Sequence, residues 1–176
     1  VVDDGSTDKT YTIAYEYAKK YSHIRVLSRP HEGKWAALNY GVFHSKGEII
    51  VTIDADSIVG KASIISLVKA FNNPKVMAVC GNVKVLNRRK FLTKCQALEY
   101  IMNINILRRA FHVFRSVPVV PGVLGAFRRE VLEGGGLYDK DTLTEDFDVT
   151  IKALKIGDTI QASSYAYVYT CLLYTS

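Results

Sequence analysis

The 176-residue sequence is short of cysteine, and its three, Cys80, Cys95 and Cys171, lie far apart with no Cys-x-x-Cys pair. That excludes a disulfide framework and the common zinc spacings. Reduced, buried and inert thiols in an intracellular setting are expected instead. No apolar run approaches the ~18 residues of a membrane span, and the N-terminus has no signal-peptide pattern. Internal repeats and low-complexity segments are lacking too, which excludes solenoids and disordered linkers. The chain does not begin with Met. Val1-Val2 reads as a strand already under way, so a fragment missing its first strand or more is expected. Cys171–Ser176 has no helix, turn or cap signal and is expected to be a tail foreign to the domain.

What is present is enough for one domain with a real core, residues 1–170, and not for two. The net charge of +6 is uneven. Between Lys84 and Arg115 eight basic residues (Lys84, Arg88, Arg89, Lys90, Lys94, Arg108, Arg109, Arg115) face one acid, Glu99. Such a window is either a solvated basic face or the complement of an anion: a diphosphate, a polyanion or an anionic membrane surface.

Taken in order, Val1–Asp8 reads as strand end, turn and helix start. Gly5 permits the turn, and Ser6, Thr7 or Asp8 can cap a helix running to about Tyr21. Ile13, Tyr17 and Tyr21 have the spacing of a core-facing stripe. A short strand at Ile24–Leu27 and a polar loop at Ser28–Gly33 precede a second helix from Lys34, ending near Ser45-Lys46-Gly47 with Gly47 as its expected C-cap. Glu48–Asp54 is a strand, Lys61–Phe71 an amphipathic helix and Val76–Val85 a strand. Thr93–Phe114 is the longest helical candidate. Pro118–Phe127 is a loop leading into a strand, Arg128–Leu132 a small helix, Thr144–Leu154 another helix and Ile160–Tyr169 a strand. Strands alternating with helices of about 10–14 residues predict an α/β chain on a mainly parallel sheet.

The chemistry gathers around Val51–Asp56 (VTIDAD). In an extended segment residues i and i+2 share a side, which places Asp54 and Asp56 together beyond a strand end, where open α/β sheets bind ligands. Asp3 and Asp4 stand at a similar place, and Glu145 and Asp146 open a helix. A carboxylate about 4 Å from a phosphate charge costs about 4 kcal/mol at an effective dielectric near 20. A divalent cation reverses that sign, and Mg²⁺ takes one or two carboxylates plus substrate phosphates. Read singly, each group has a plain structural role: Asp3-Asp4-Gly5-Ser6 as turn and cap, Glu145, Asp146 and Asp148 as acids favouring a helix dipole. Lys34 is different, because a cation at a helix start opposes the dipole and calls for an anionic partner.

Together VVDDGSTD, GKWAALNYG, DADS, PGVLGAFRR and TEDFDV, in this order, resemble the family 2 glycosyltransferases of the GT-A fold. The likeness is to the membrane-bound processive synthases of poly-N-acetylglucosamine, cellulose, chitin and hyaluronan, and GNVKVLNR and QALEY resemble the first of these. The resemblance covers about Val1–Tyr169. It implies a Rossmann-like, mainly parallel sheet flanked by helices, here truncated at both ends. It further implies that Asp4, with Asp3 beside it, contacts the uracil of a UDP-sugar, and that Lys34 lies near the nucleotide. Asp54 and Asp56 would hold the nucleotide and a Mg²⁺ or Mn²⁺. Asp146, with Glu145 beside it, would be the catalytic base, and the Pro121–Phe127 loop with Gly122 and Gly125 would line the acceptor channel. The reaction implied is inverting transfer of a sugar, N-acetylglucosamine on the likeness to that branch, to a glycan or lipid acceptor. The expected setting is membrane-associated, with the catalytic domain on the cytoplasmic side and no nucleic acid partner. A Pro-x-Tyr-Asn-Glu-like opening motif, a Gln-x-x-Arg-Trp motif and transmembrane helices are missing from these residues, so low activity is expected of them in isolation. The nearest alternative is a non-processive glycosyltransferase acting on a lipid or other acceptor. The competing classes are a phosphatase or phosphotransferase with Asp54 as nucleophile, which leaves the Asp3-Asp4 and Glu145-Asp146 motifs idle, and a non-catalytic nucleotide-sugar sensor.

Overall fold

The computed structural model describes residues 1–87, 91–102, 119–140, 142, 144–156 and 159–171. Strand β1 (Val2–Asp4) is followed by a turn at Gly5 and helix α1 (Thr10–Lys20). Of the three expected caps it is Asp8 whose carboxylate accepts the Thr10 N–H, at 2.9 Å. Then come β2 (Leu27–Arg29), α2 (Lys34–His44), β3 (Ile49–Ile53), β4 (Ser57–Val59), α3 (Ser63–Ala70) and β5 (Val76–Val85). The chain continues with α4 (Phe91–Tyr100), β6 (Leu124–Arg128), α5 (Arg129–Gly134), α6 (Glu145–Ile156) and β7 (Thr159–Thr170). Residues 103–114 of the long expected helix lie outside the described residues, as do residues 172–176 of the expected tail.

β1 and β2 form a parallel pair with Asp4 opposite Arg29. The other five strands make one sheet in the order β3-β6-β5-β7-β4. β5 and β7 run parallel, while β6 is antiparallel to β3 and β5, and β4 is antiparallel to β7. Central β5 is buried on both faces, which is why its sequence reads as a near-continuous apolar run. Along the strands successive residues point to opposite faces, and the core divides accordingly. Val42 of α2, Val131 and Leu132 of α5 and Val149 and Ala153 of α6 pack with Ile50, Ala78, Cys80, Phe127 and Ile160. On the other side Leu67 of α3 and Phe71 pack with Val76, Val79, Val83, Leu124, Ala126 and Val168. Each fully buried Leu or Val contributes about 1.5–3 kcal/mol.

Several expectations are corrected. β2 covers Leu27–Arg29 rather than Ile24–Leu27, and of the cysteines expected to be buried Cys80 is, while Cys95 and Cys171 are exposed. The α1 stripe does not face a core: the helix has no buried residue, and Ile13 and Tyr17 are 53% and 56% exposed. The reason is its neighbour. β1 and β2 offer a two-stranded sheet three residues long, too small and too polar to bury a helix face, and the tyrosines stack on one another instead (Tyr11 on Tyr15, Tyr17 on Tyr21). α2 ends at His44, about where expected, but its C-cap is Ser45 rather than Gly47, because Ser45 turns extended and both its N–H and its Oγ–H are donated to the Val42 carbonyl.

The antiparallel pairing of β3 with β6 positions the site. Ile53, the last residue of β3, stands opposite Leu124, the first of β6. The turn after β3 and the loop before β6 are therefore neighbours. At the far end Arg128 donates to the carbonyls of Phe71, Asn73 and Val76, and Arg129 donates to those of Gly47 and Val42 and to Ser45 Oγ. The paired arginines thus lock the edge of the sheet away from the acids.

Candidate functional site

Asp54 follows β3 directly, and its N–H reaches the Val123 carbonyl at 3.4 Å. Its carboxylate meets Lys34, the first residue of α2, with Nζ to Oδ1 at 3.1 Å. The same ammonium lies 2.8 Å from Glu145 Oε1 at the start of α6. Gly122, in the loop before β6, closes the group: a Cβ there would come 3.1 Å from Lys34 Nζ and 3.9 Å from both Asp54 oxygens. The Gly122 N–H is donated to Asp146 Oδ2 at 3.4 Å, and the Phe147 N–H to Oδ1 at 3.0 Å. The structure therefore brings Lys34, Asp54, Gly122, Glu145 and Asp146 together from four separate segments. Burial works to lower the Lys34 pKa, but its bonds to Glu145 and Asp54 outweigh burial and raise it. Burial likewise works to raise Glu145, and Lys34 outweighs it, holding that carboxyl below its usual range.

Asp4 joins this group through the loop that leads into α2. Its Oδ2 accepts the Gly33 N–H at 2.9 Å and pairs with His31 Nδ1 at 2.8 Å, while Oδ1 accepts the Glu32 N–H at 3.3 Å. Arg29 lies 3.5 Å from the same oxygen. Burial opposes the charged form, yet the bonds from Gly33, Glu32 and His31 leave the Asp4 carboxyl below its usual value. Gly5 is required for this closeness: it has φ +74°, and a Cβ would sit 2.7 Å from His31 N. Asp3 is buried beside it, 5% exposed, with Ser28 Oγ donating to Oδ2 at 3.3 Å. Asp3 Oδ1 has no hydrogen-bond partner among the described residues.

Asp56 stands apart. It is exposed, and its contact is with Ser57 Oγ at 3.3 Å. The extended geometry expected of Asp54–Asp56 does not hold, because the Ser57 N–H is donated to the Asp54 carbonyl at 3.1 Å and the segment is a turn. Gly125 is buried within β6, where a Cβ would lie 2.8 Å from Val120 Cγ1; its bareness lets the loop before β6 fold back. A 550 Å³ cavity runs beside β3, with Lys34 and Asp54 at its polar end and Val2, Ala37, Leu38, Val42 and Ile50 among its apolar walls.

The sequence profile of glycosyl transferase family 2 matches residues 1–136. The chain belongs to glycosyl transferase family 2. Poly-β-1,6-N-acetyl-D-glucosamine synthase of Staphylococcus epidermidis is similar, 31% identical over 153 residues, which is 86% of this chain and 37% of that protein. The chain thus spans well under half the length of the curated relatives it matches. Among solved structures, the mannosyltransferase PcManGT of Pyrobaculum calidifontis, in complex with GDP-Man and Mn²⁺, superposes with a TM-score of 0.72 at 24% identity, over 100% of this chain and 48% of that one. TarS residues 1–349 of Staphylococcus aureus, in complex with UDP-GlcNAc, gives 0.71 at 17% identity, over 100% and 50%. These likenesses establish the GT-A glycosyltransferase fold.

The profile ends before Glu145 and Asp146, so in this family 2 chain their place in the site rests on geometry. Three contributors carry no local signal. Thr150 of α6, fully buried, accepts the Val120 N–H at 2.9 Å and donates to the Asp146 carbonyl at 2.6 Å, fastening the Gly122 loop to α6. Asn39 of α2 bonds both the N–H and the carbonyl of Tyr138, each at 2.9 Å. Tyr138 is buried against Thr52, and its phenol pKa is raised, first by burial and then by the nearby Glu145 and Asp146 charges. Only the interleaving of distant segments makes these three matter. The donor set also fits a divalent cation of a particular kind. Carboxylate oxygens are the hard ligands that Mg²⁺ and Mn²⁺ prefer, and a cation, the Lys34 ammonium, already lies between two of them. Among the described residues no group of three or more His, Cys, Asp or Glu side chains gathers around one point. Such an ion would draw its remaining ligands from phosphate oxygens and water.

Proposed function

We propose that residues 1–170 of this chain form the catalytic domain of an enzyme that moves N-acetylglucosamine from a UDP-sugar to a hydroxyl of a growing glycan, with inversion at the anomeric carbon. The observation that carries this is the meeting of Lys34, Asp54, Gly122, Glu145 and Asp146 at adjoining ends of α2, β3 and α6. The sugar follows the likeness to poly-β-1,6-N-acetyl-D-glucosamine synthase. Asp3 and Asp4 serve the uracil: Asp4 is committed to shaping the 31–33 loop, which leaves Asp3 Oδ1, buried and without a hydrogen-bond partner among the described residues, as the unsatisfied acceptor of the pair. Asp54, with Asp56 reaching in from the exposed turn beyond it, would hold Mg²⁺ or Mn²⁺, which would supply positive charge against the UDP leaving group. Asp146 is the general base and takes the acceptor proton. Glu145 is the poorer base, because the Lys34 ammonium already holds its carboxylate. A single base without an enzyme nucleophile gives one displacement, hence inversion.

The half-buried Pro121–Val123 loop, with Gly122 in it, lines the acceptor side; Leu124–Phe127, Gly125 included, are buried in β6 and do not. Membrane association, with the domain facing the cytoplasm, follows the family likeness and the basic window at 84–115, much of which lies outside the described residues. Among the described residues no helix is long and apolar enough to cross a membrane. In the full-length protein Asp146→Asn should lower sugar transfer by about 10²–10⁴-fold while calorimetric UDP binding persists. Unchanged transfer would refute the base assignment.

A further inference from the structure

We infer that the Lys34 ammonium holds the place of the divalent cation in the nucleotide-free site, and so makes metal binding conditional on nucleotide. The inference rests on the nucleotide-sugar reading above and extends it to the order in which the site fills.

Lys34 Nζ sits 3.1 Å from Asp54 Oδ1 and 2.8 Å from Glu145 Oε1, within contact distance of both carboxylates at once. Gly122 backs this position so closely that even a methyl group there would touch the ammonium. Lys34 is also fixed at its root. It is the first residue of α2, and the preceding Gly33, at φ 109°, is held by Asp4 through its N–H. A lysine at this place opposes the helix dipole, and the two carboxylates offset that. Asp54 therefore already shares, with Glu145, a cation belonging to the protein.

A free divalent ion approaching Asp54 meets the repulsion of that ammonium and must displace it from a satisfied ion pair. A diphosphate changes the balance. It gives Lys34, which is 49% exposed on its side chain, a stronger anionic partner on the open side and releases Asp54 to the metal. Glu145 keeps the lysine anchored during the exchange, so Lys34 acts as a positioning residue for both ligands. The coupling is reciprocal, as any binding linkage must be: metal should tighten nucleotide by the same factor that nucleotide tightens metal.

The test is Mn²⁺ titration of the full chain, read by electron paramagnetic resonance of free Mn²⁺, with and without saturating UDP, in wild type, Lys34→Met and Lys34→Arg. In wild type UDP should tighten Mn²⁺ at least about tenfold. In Lys34→Met, Mn²⁺ alone should bind more tightly than in wild type, and the UDP-induced gain should shrink towards one. Lys34→Arg keeps a cation in place and should retain the coupling. A Lys34→Met chain that binds Mn²⁺ no better than wild type, with the UDP effect intact, overturns the inference while leaving the nucleotide-sugar reading standing. Absence of UDP binding in wild type, with or without Mn²⁺, removes that reading and the inference with it. Should Lys34→Met fail to fold, as judged by circular dichroism, Lys34→Gln carries the same comparison.

Discussion

Thr150→Val isolates the link between α6 and the Gly122 loop. The substitution keeps the branched shape and deletes one hydroxyl, which in the wild type accepts the Val120 N–H at 2.9 Å and donates to the Asp146 carbonyl at 2.6 Å. The Asp146 carbonyl belongs to the first turn of α6 and keeps helical donors. The Val120 N–H has no such reserve, since Val120 is buried and water cannot reach it. Leaving one buried donor unpaired costs about 1–3 kcal/mol. For a chain of this size each kcal/mol moves the melting temperature by about 2–4 °C, so a fall of roughly 2–12 °C is expected. Thermal unfolding followed by circular dichroism measures it, with amide exchange at Val120 as the local readout. Thr150→Ser is the control: it keeps the hydroxyl and loses one methyl, about 0.8 kcal/mol. If the valine variant proves as stable as the serine variant, the hydroxyl is not holding the loop and the reasoning fails.

Three further outcomes are expected. Gly5→Ala forces a side chain into a left-handed backbone, which costs about 1–2 kcal/mol, and drives its Cβ against His31 N; UDP affinity by calorimetry should fall, and an unchanged value would detach the 31–33 loop from nucleotide binding. The Lys34–Glu145 pair should stabilise across a defined pH window. Glu145 is held below its usual value of ~4.3, so its share is present above that value and lost as pH falls through the lower folded one. Lys34 is raised, so its share is present below its usual ~10.4 and lost only as pH climbs through its still higher folded value. Half-exposed as Lys34 is, the pair should contribute about 1 kcal/mol or less. Urea midpoints of wild type and Glu145→Gln should differ near neutral pH and converge in strong acid; a gap persisting there would assign the effect to shape rather than charge. Finally, Asp146→Asn should separate transfer from binding as described above, and parallel losses of both would make Asp146 a structural residue.

How much of this was legible beforehand varied with the range of the physics involved. β5 was readable to its ends, Val76–Val85, because a strand buried on both faces leaves a near-continuous apolar run, interrupted only late by Asn82 and Lys84. β4, Ser57–Val59, was not anticipated, since three residues at a sheet edge carry no periodicity. The α1 stripe misled for a related reason: Ile13, Tyr17 and Tyr21 have the spacing of a buried face, but spacing does not say whether anything lies opposite. The tight turn at Asp54–Ser57 was hidden too, because its hydrogen bond, Ser57 N–H to the Asp54 carbonyl, has no Gly or Pro to announce it.

The sequence by itself determined the α/β class, the acids at strand and helix ends, and the oddity of a lysine at the start of α2, because all of these follow from local pattern and charge. Which acids that lysine would pair with was decided only in three dimensions. The antiparallel return of β6 carries Gly122 to the end of β3, and α6 brings Glu145 from more than a hundred residues away. Asn39, Tyr138 and Thr150 entered the site by the same route. Long-range contacts of this kind leave no trace in neighbouring residues, since the partner's position is set by packing and strand direction rather than by spacing.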